Sequence, residues 1–470
     1  METFKLQNSS KNVSREHVVE APSGRKKIAN IIDLARAFYR RYVKPYSRLH
    51  SVLVNLIKRN HSYCYIQITI FIDYISRRNE CRWRQLKPLQ KAVLNNGWPQ
   101  LELRQPEPVV AAMPLVAAEK DEVLFERSSE QHDFPRLYVA QASQAQVFGS
   151  SNMVVVGDDI ICHDLFRARY DYTSEELTWN TVAIIDSNSA RARWLQRDKQ
   201  PLYVEKAAVF LDACASNYAH WLSEVLPRVA LFCSQPQFDD VPIVVDAGLH
   251  KNIMDSLLAV TGDVRDIITL PASRSMVVNT LYITSVAGYV PFDQRGGNAV
   301  EHSHGLFSHY SQRCMLERLS HQKQLTGQHA KSIDWPEKVY LRRTSGVRKL
   351  LNNDALEAAL EPHGFIAVEP EALTFDQQVM LFQNARVIVS PTGAALANAM
   401  FCRPGAKVVV MMGRHKKMIY KYWLNMLSFL DVHVCYLLGT IDTGSGLGIH
   451  GDFKVDVDDF HCLMNKLNRL

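Results

Sequence analysis

Four polar side chains in the stretch Asn217-Tyr-Ala-His-Trp-Leu-Ser-Glu-Val-Leu-Pro-Arg228 are spaced for chemistry. Asn217, His220, Glu224 and Arg228 follow one another at intervals of three, four and four residues, which lays them along one face of a helix. Trp221, Leu222, Val225 and Leu226 would cover the sides that pack. An imidazole titrates near neutral pH, so His220 can accept a proton from an attacking hydroxyl, and Glu224 can orient it or act in its place. The plain alternative is an i,i+4 pair with a structural role. One His and one Glu fall short of the three protein ligands of a catalytic zinc, so no metal is expected here. Pro227 lacks a backbone donor and predicts a kink or an end of the helix between Ser223 and Pro227.

A second group of residues suits an anion. Arg342 and Arg343 end the apolar alternation Lys338-Val-Tyr-Leu-Arg342, and the run Ser390-Pro-Thr-Gly-Ala-Ala-Leu-Ala-Asn398 reads as a small-residue turn. The strand Arg386–Ser390 enters that turn, and a helix starting near Gly393 leaves it. Unpaired N–H groups and the helix dipole would favour a phosphate there, and Gly393, Ala394 and Ala395 leave the backbone uncovered. Glycine and alanine that simply let a helix pack on a sheet are the alternative. Glu369 and Glu371 follow the strand Phe365–Val368 and could hold hydroxyls of a ribose or stand exposed; Asn398 could brace the turn.

The elements that must position these groups alternate. Val339 to Met412 reads as four strands and three helices, with one helix over Asn353–Leu360, a capping box at Thr374-Phe-Asp-Gln377 and a return strand at Lys407–Met412. Such alternation gives a parallel sheet with helices on its faces, and ligands bind at the carboxyl ends of its strands. Both Arg342-Arg343 and the Gly393 turn fall at that edge. Upstream, Met153–Val156, Thr181–Ile185, Ala207–Leu211, Val241–Val245, Ile267–Leu270 and Thr280–Thr284 are expected strands. Helices are expected at Lys251–Val260 and from Ser308 to about Gln322.

Arg342-Arg-Thr-Ser-Gly-Val-Arg348, Asn353, Gly364-Phe365, Glu369-Pro-Glu371, Phe375-Asp-Gln-Gln378 and Pro391–Asn398, together with the Asn217–Arg228 block, resemble the family 61 glycosyltransferases over roughly residues 205 to 440. The resemblance implies an α/β fold of the GT-B type, with two Rossmann-like domains facing a cleft. It implies inverting transfer from a nucleoside-diphosphate sugar, with a UDP-linked donor expected, to a glycan or lipid-linked acceptor in capsule or surface polysaccharide assembly. On that basis His220 and Glu224 are the catalytic pair, with Asn217 and Arg228 supporting the acceptor side. Arg342, Arg343, Glu369, Glu371, Gln378, Thr392, Gly393, Ala394 and Asn398 form the donor side. Many members carry His where this chain has Thr392, which offers only a neutral hydroxyl. The other readings are a different group transferase, such as a pyruvyl transferase, and a catalytically degenerate assembly scaffold. Asp239-Asp240 and Asp456-Val-Asp-Asp459 are not set after a strand as a metal-binding Asp-x-Asp would be, so neither metal nor cofactor is expected.

At 470 residues, 47% hydrophobic and 22% charged, the composition is that of a globular enzyme. The nine cysteines form no Cys-x-x-Cys pair, which points to a reducing compartment. No apolar leader or spanning segment is read, and a cytoplasmic setting on the inner face of a bacterial membrane is expected. The net charge of +6 is uneven: Arg25 to Lys91 holds 16 Lys or Arg against Asp33, Asp73 and Glu80. Ile31, Leu34, Ala35 and Phe38 share a helical face beside that charge, a pattern for peripheral contact with an anionic membrane. No nucleic-acid motif accompanies it. The expected organisation is a disordered tail at 1–24, a basic, mainly helical extension at 25–104, a linker at 105–130, an acceptor-side domain at 131–325, a nucleotide-sugar domain at 326–440 and a C-terminal tail or helix at 441–470.

Overall fold

The structure is a computed structural model whose described residues run from 81 to 469, apart from 127–130, 168–170, 173–181, 295–304, 327–333 and some shorter stretches; before 81, only Gln67, Ile70 and Phe71 are described. The expected tail and most of the basic extension lie outside the described residues. What is described of the extension belongs to the body of the molecule. Trp83–Pro88 and Gln100–Arg104 are strands of the main sheet, joined through one helix, Leu89–Asn96, that ends at Gly97 in the left-handed region. That φ of 62° is open to glycine without strain, so the helix stops there.

The first sheet has eleven strands. Its longest, Leu137–Phe148, runs antiparallel to Ser275–Thr284 from Val139 opposite Thr284 to Phe148 opposite Ser275. Beyond Ser275–Thr284 the sheet turns parallel, through Leu202–Val209, Ile243–Asp246 and Ile267–Leu270. The crossovers between these parallel strands are helical, the first through residues 218–233 and the second through Lys251–Thr261. Asp212 and Asp246 therefore fall at the carboxyl ends of neighbouring strands.

The second sheet contains five parallel strands: β1 (Lys338–Leu341), β2 (Ile366–Val368), β3 (Val387–Pro391), β4 (Lys407–Arg414) and β5 (His433–Ile441). Their order is β2-β1-β3-β4-β5. With this order the crossovers leave β1 and β3 in opposite directions, so the loops after them part and open a crevice. The helices Asn353–Leu360 and Phe375–Asn384 stand where the sequence places them, the latter with Thr374 and Gln377 capping each other's backbone. The third is different. Ala394–Phe401 is a 3₁₀ helix, not an α-helix, with Leu396 N–H bonded to Gly393 O and the buried Asn398 amide bonded to Ala395 O, both at 3.0 Å. These short-range bonds tighten the coil.

Two boundaries need correction. Residues 105–130 are no linker: Glu107–Val110 pairs with Gln131–Phe134, and Leu115–Val116 adds in parallel to β5. Asp121 receives both Arg414 Nε and Nη2, at 2.8 and 2.7 Å. Residues 441–470 end in the expected helix but are not set apart from the second sheet. Phe453–Lys454 extends the second sheet antiparallel to β5, and the helix Val457–Leu467 buries Phe460, Leu463, Met464 and Leu467. One apolar core runs through both halves, with Ala208, Val225 and Val245 in the same cluster as Leu396, Val408 and Trp423.

Candidate active site

The helix that carries His220 opens with Asn217 as its cap, whose Oδ1 accepts from Ala219 N–H at 3.0 Å. One α-helical turn follows, Tyr218–His220, then a π-helical turn, Trp221–Val225, then α-helix Leu226–Cys233. Pro227 does not end the helix: the wider turn precedes it and α-helix continues to Cys233. Leu226 N–H reaches back five residues to Trp221 O. Ser223 O, which a residue with an N–H at 227 would have served, accepts instead from Gln312 Nε2 at 2.9 Å. Glu224 O accepts from Arg228 Nε at 3.0 Å. Both stranded carbonyls are thus satisfied by side chains, and Trp221 Nε1 anchors the turn on Ser256 Oγ at 2.8 Å.

His220 Nδ1 lies 2.5 Å from Glu224 Oε1, and both residues are 8% exposed. Burial pushes the Glu224 carboxyl above the usual range, and His220 pulls it back. Arg228 Nη2 stands 3.4 Å from Asp212 Oδ2. Asp212 N–H and Ser150 N–H donate to Asp246, which burial raises to about 7. The four residues do not share one wall. Asn217 and His220 line a cavity of about 1000 Å³. Glu224 and Arg228 line a chamber of about 40 Å³ behind it, with Asp212 and Thr284. The π turn shifts the angular phase of the helix between the two pairs, a shift that intervals counted on an ideal α-helix do not contain.

The opposite wall of the large cavity is the β1/β3 crevice. Arg342 is held by Glu357, Nε to Oε1 at 2.7 Å and Nη2 to Oε2 at 2.6 Å, so a carboxylate of the protein already neutralises it. Arg343 turns inward, with Nε donating to Val347 O at 3.0 Å. Its Nη1 sits over Gly393, where any Cβ would collide with it. Gly393 is extended, φ 178°, so the glycine is required by the guanidinium above it and not by its own backbone. Arg348, at φ 56°, brings a second guanidinium to the same wall. Burial and the neighbouring Arg348 lower Arg343 to about 10, against some relief from Glu371; burial lowers Arg348 as well. Arg348 Nε is buried without a hydrogen-bond partner. Two like charges held together in a sheltered pocket favour a ligand carrying two negative charges.

Among the remaining expected donor residues, Glu371, Gln378, Thr392, Gly393 and Ala394 line the cavity, while Glu369 and Asn398 do not. The Thr392 hydroxyl accepts from Trp423 Nε1 at 2.9 Å. Asn398, fully buried, spends both amide hydrogens on Gln378 Oε1 (2.6 Å) and Ala395 O (3.0 Å) and accepts from Tyr218 OH at 2.7 Å. It braces the turn rather than reaching a ligand. Sequence reasoning missed Arg348, Tyr218, His250 and Tyr422 as wall residues. Arg348 was within reach, because it ends the same Arg-rich run as Arg342 and Arg343. His250 and Tyr422 stood in stretches without a signal.

A parallel sheet with a cationic crevice at its switch point thus faces a buried imidazole–carboxylate pair across one cavity. Residues 218–409 match the family model described as Glycosyltransferase 61. Over that span, which runs from the helix carrying His220 into β4, the chain is similar to the family 61 glycosyltransferases. No curated protein matches the chain.

Proposed function

We propose that the protein is an inverting glycosyltransferase of the GT-B type, moving a sugar from a UDP-linked donor to a hydroxyl of a glycan or lipid-linked acceptor in surface polysaccharide assembly. One observation carries the reading: His220, with Nδ1 engaged by Glu224, and the Arg343/Arg348 pair face a single cavity of about 1000 Å³. That volume is at the upper end for small-molecule sites and leaves space for an acceptor unit beside the donor. The acceptor oxygen attacks the anomeric carbon as its proton passes to His220 Nε2. Glu224 fixes the ring and stabilises the imidazolium. The bond from the anomeric carbon to the diphosphate oxygen breaks, and its electron pair leaves with the diphosphate, received by Arg343 and Arg348. A single displacement inverts the anomeric centre. No metal is assigned a part, since guanidinium groups meet the leaving charge.

The test is thermal shift and calorimetry with UDP, other nucleoside diphosphates and their sugars, since a ligand bound by the native state alone raises the melting temperature. UDP stabilisation followed by sugar transfer is expected. Failure of every nucleoside diphosphate to bind at millimolar concentration would overturn the reading in favour of an assembly scaffold. The same reading puts the enzyme at the cytoplasmic face of a bacterial membrane, with the basic segment 25–91 on anionic lipid. Sedimentation with phosphatidylglycerol vesicles at low salt checks this; indifference to them removes it.

A further inference from the structure

A run of hydrogen bonds joins the two walls of the cavity. Tyr218 OH, in the turn that carries His220, donates to Asn398 Oδ1 at 2.7 Å. Asn398 Nδ2 donates to Gln378 Oε1 at 2.6 Å. Gln378 Nε2 donates to Pro370 O at 2.8 Å and Leu373 O at 3.2 Å, which fixes the turn holding Glu371. Leu373 O also accepts from Asn252 Nδ2 at 2.9 Å, which returns the run to the first half. The direction of each bond is consistent: a phenol can donate to the first amide only if that amide turns its NH₂ to the second. Burial holds the Tyr218 phenol far above its usual range, so it remains a donor at any working pH. Asn398 is wholly buried and Gln378 is 4% exposed.

We infer that Tyr218, Asn398 and Gln378 are positioning residues that fix the distance between the His220 base and the donor diphosphate. The inference rests on the reading of His220 as the base and the β1/β3 crevice as the donor site. An apolar core alone tolerates small slides between packed surfaces, whereas buried hydrogen bonds impose a distance and a direction. Attack on an anomeric carbon depends on both: misplacement of about 1 Å can cost on the order of a hundredfold in rate. The run also gives the donor wall a route to the base. A nucleotide that settles against the Glu371 turn restrains Leu373 and Pro370, then Gln378, Asn398 and the first turn of the base-bearing helix.

The experiment uses the full chain. Tyr218→Phe removes one hydroxyl and leaves the ring packed. Turnover with the donor found by the nucleotide screen should fall roughly ten- to a hundredfold, the usual consequence of a buried acceptor left unpaired. UDP affinity and the pH dependence of the rate should stay as in the wild type. Asn398→Leu placed on top of Tyr218→Phe should add little, because a chain already broken cannot be broken again. Hydrogen exchange gives a readout that needs no turnover: UDP should slow exchange of the 218–225 amides in the wild type and not in Tyr218→Phe. If Tyr218→Phe does not fold, Asn398→Leu alone, at a side chain that does not line the cavity, carries the same measurements. Unchanged turnover and exchange in a folded variant overturn the inference and leave the donor site standing. A loss of UDP affinity parallel to the loss of turnover also overturns it, by assigning the run to donor binding. A wild-type protein that binds no nucleoside diphosphate overturns the functional reading itself, and this inference with it.

Discussion

On the wall built by the 218–233 helix, charges are paired: His220 with Glu224, and Arg228 with Asp212. On the wall built by β1 and β3, Arg343 and Arg348 carry the same sign; burial lowers both, and Arg348 lowers Arg343 further, against partial relief from Glu371 and Asp452. Under the proposed function, the difference separates the tasks of the two walls. A proton-transfer group needs a fixed tautomer and a counter-charge in place before the reaction, so its partners are built in. An anion site keeps its cations unneutralised, and desolvation strengthens their pull on what arrives. Arg342, bound bidentately to Glu357, shows what a neutralised arginine looks like one residue away.

If the comparison is right, the two walls separate kinetically. The largest effect belongs to the base: His220→Ala should lower turnover roughly 10²–10⁴-fold with UDP affinity unchanged, measured by initial rates beside calorimetry. Wild-type rates in this variant would remove His220 from the chemistry. Next come the cations. Arg343→Ala or Arg348→Ala should weaken UDP binding roughly ten- to a hundredfold, the value of one charge-assisted contact, and the loss should shrink as salt rises. An equal loss from Arg342→Ala would contradict the neutralised role given to it. Gly393→Ala should behave as a milder Arg343 variant, weakening UDP by about tenfold or less through the displaced guanidinium. Its melting temperature should hardly move, because the collision is with the end of a flexible side chain.

The smallest effect is on stability and sharpens the paired wall. Asp246 titrates at about 7 in the folded protein, raised by burial from 3.8. The folded state therefore keeps a proton that the unfolded chain has lost. This contribution is fully present below the unfolded value and disappears as pH rises through about 7. Urea unfolding at pH 5 and pH 8 should show wild-type stability falling across that interval, with a flatter profile for Asp246→Asn. A steeper fall in the variant would reverse the assignment.

Much of the second sheet was legible because its signals are local. The strands are short apolar runs, Thr374-Phe-Asp-Gln377 caps its helix, and Pro404-Gly405 turns the chain back. Leu137–Phe148 was not legible: its buried positions include Ala140, Ala142 and Ala145, and Gln141, Ser143 and Gln146 between them blur the apolar alternation. The Leu115–Val116 strand has only two residues, and its reason for being a strand lies at Cys435 and Tyr436. The site divided the same way. His220 and Glu224 could be paired from their spacing, but the fate of the helix at Pro227 involves Gln312, which serves Ser223 O from 89 residues later. Arg342 and Arg343 looked alike in the sequence, and only Glu357, 15 residues on, tells them apart.

The order of strands has a consequence for anyone who would trim this protein to its family stretch. Residues 218–409 hold His220 and the crevice, yet they omit Leu202–Val209, the strand wedged between Ser275–Thr284 and Ile243–Asp246, and they omit β5, which seals the flank of β4. A fragment with those bounds would have a slit through one sheet and a raw apolar edge on the other, the kind of edge that seeks a strand from another chain. The part that carries the chemistry and the part that can exist as a folded object are different lengths of the same polypeptide.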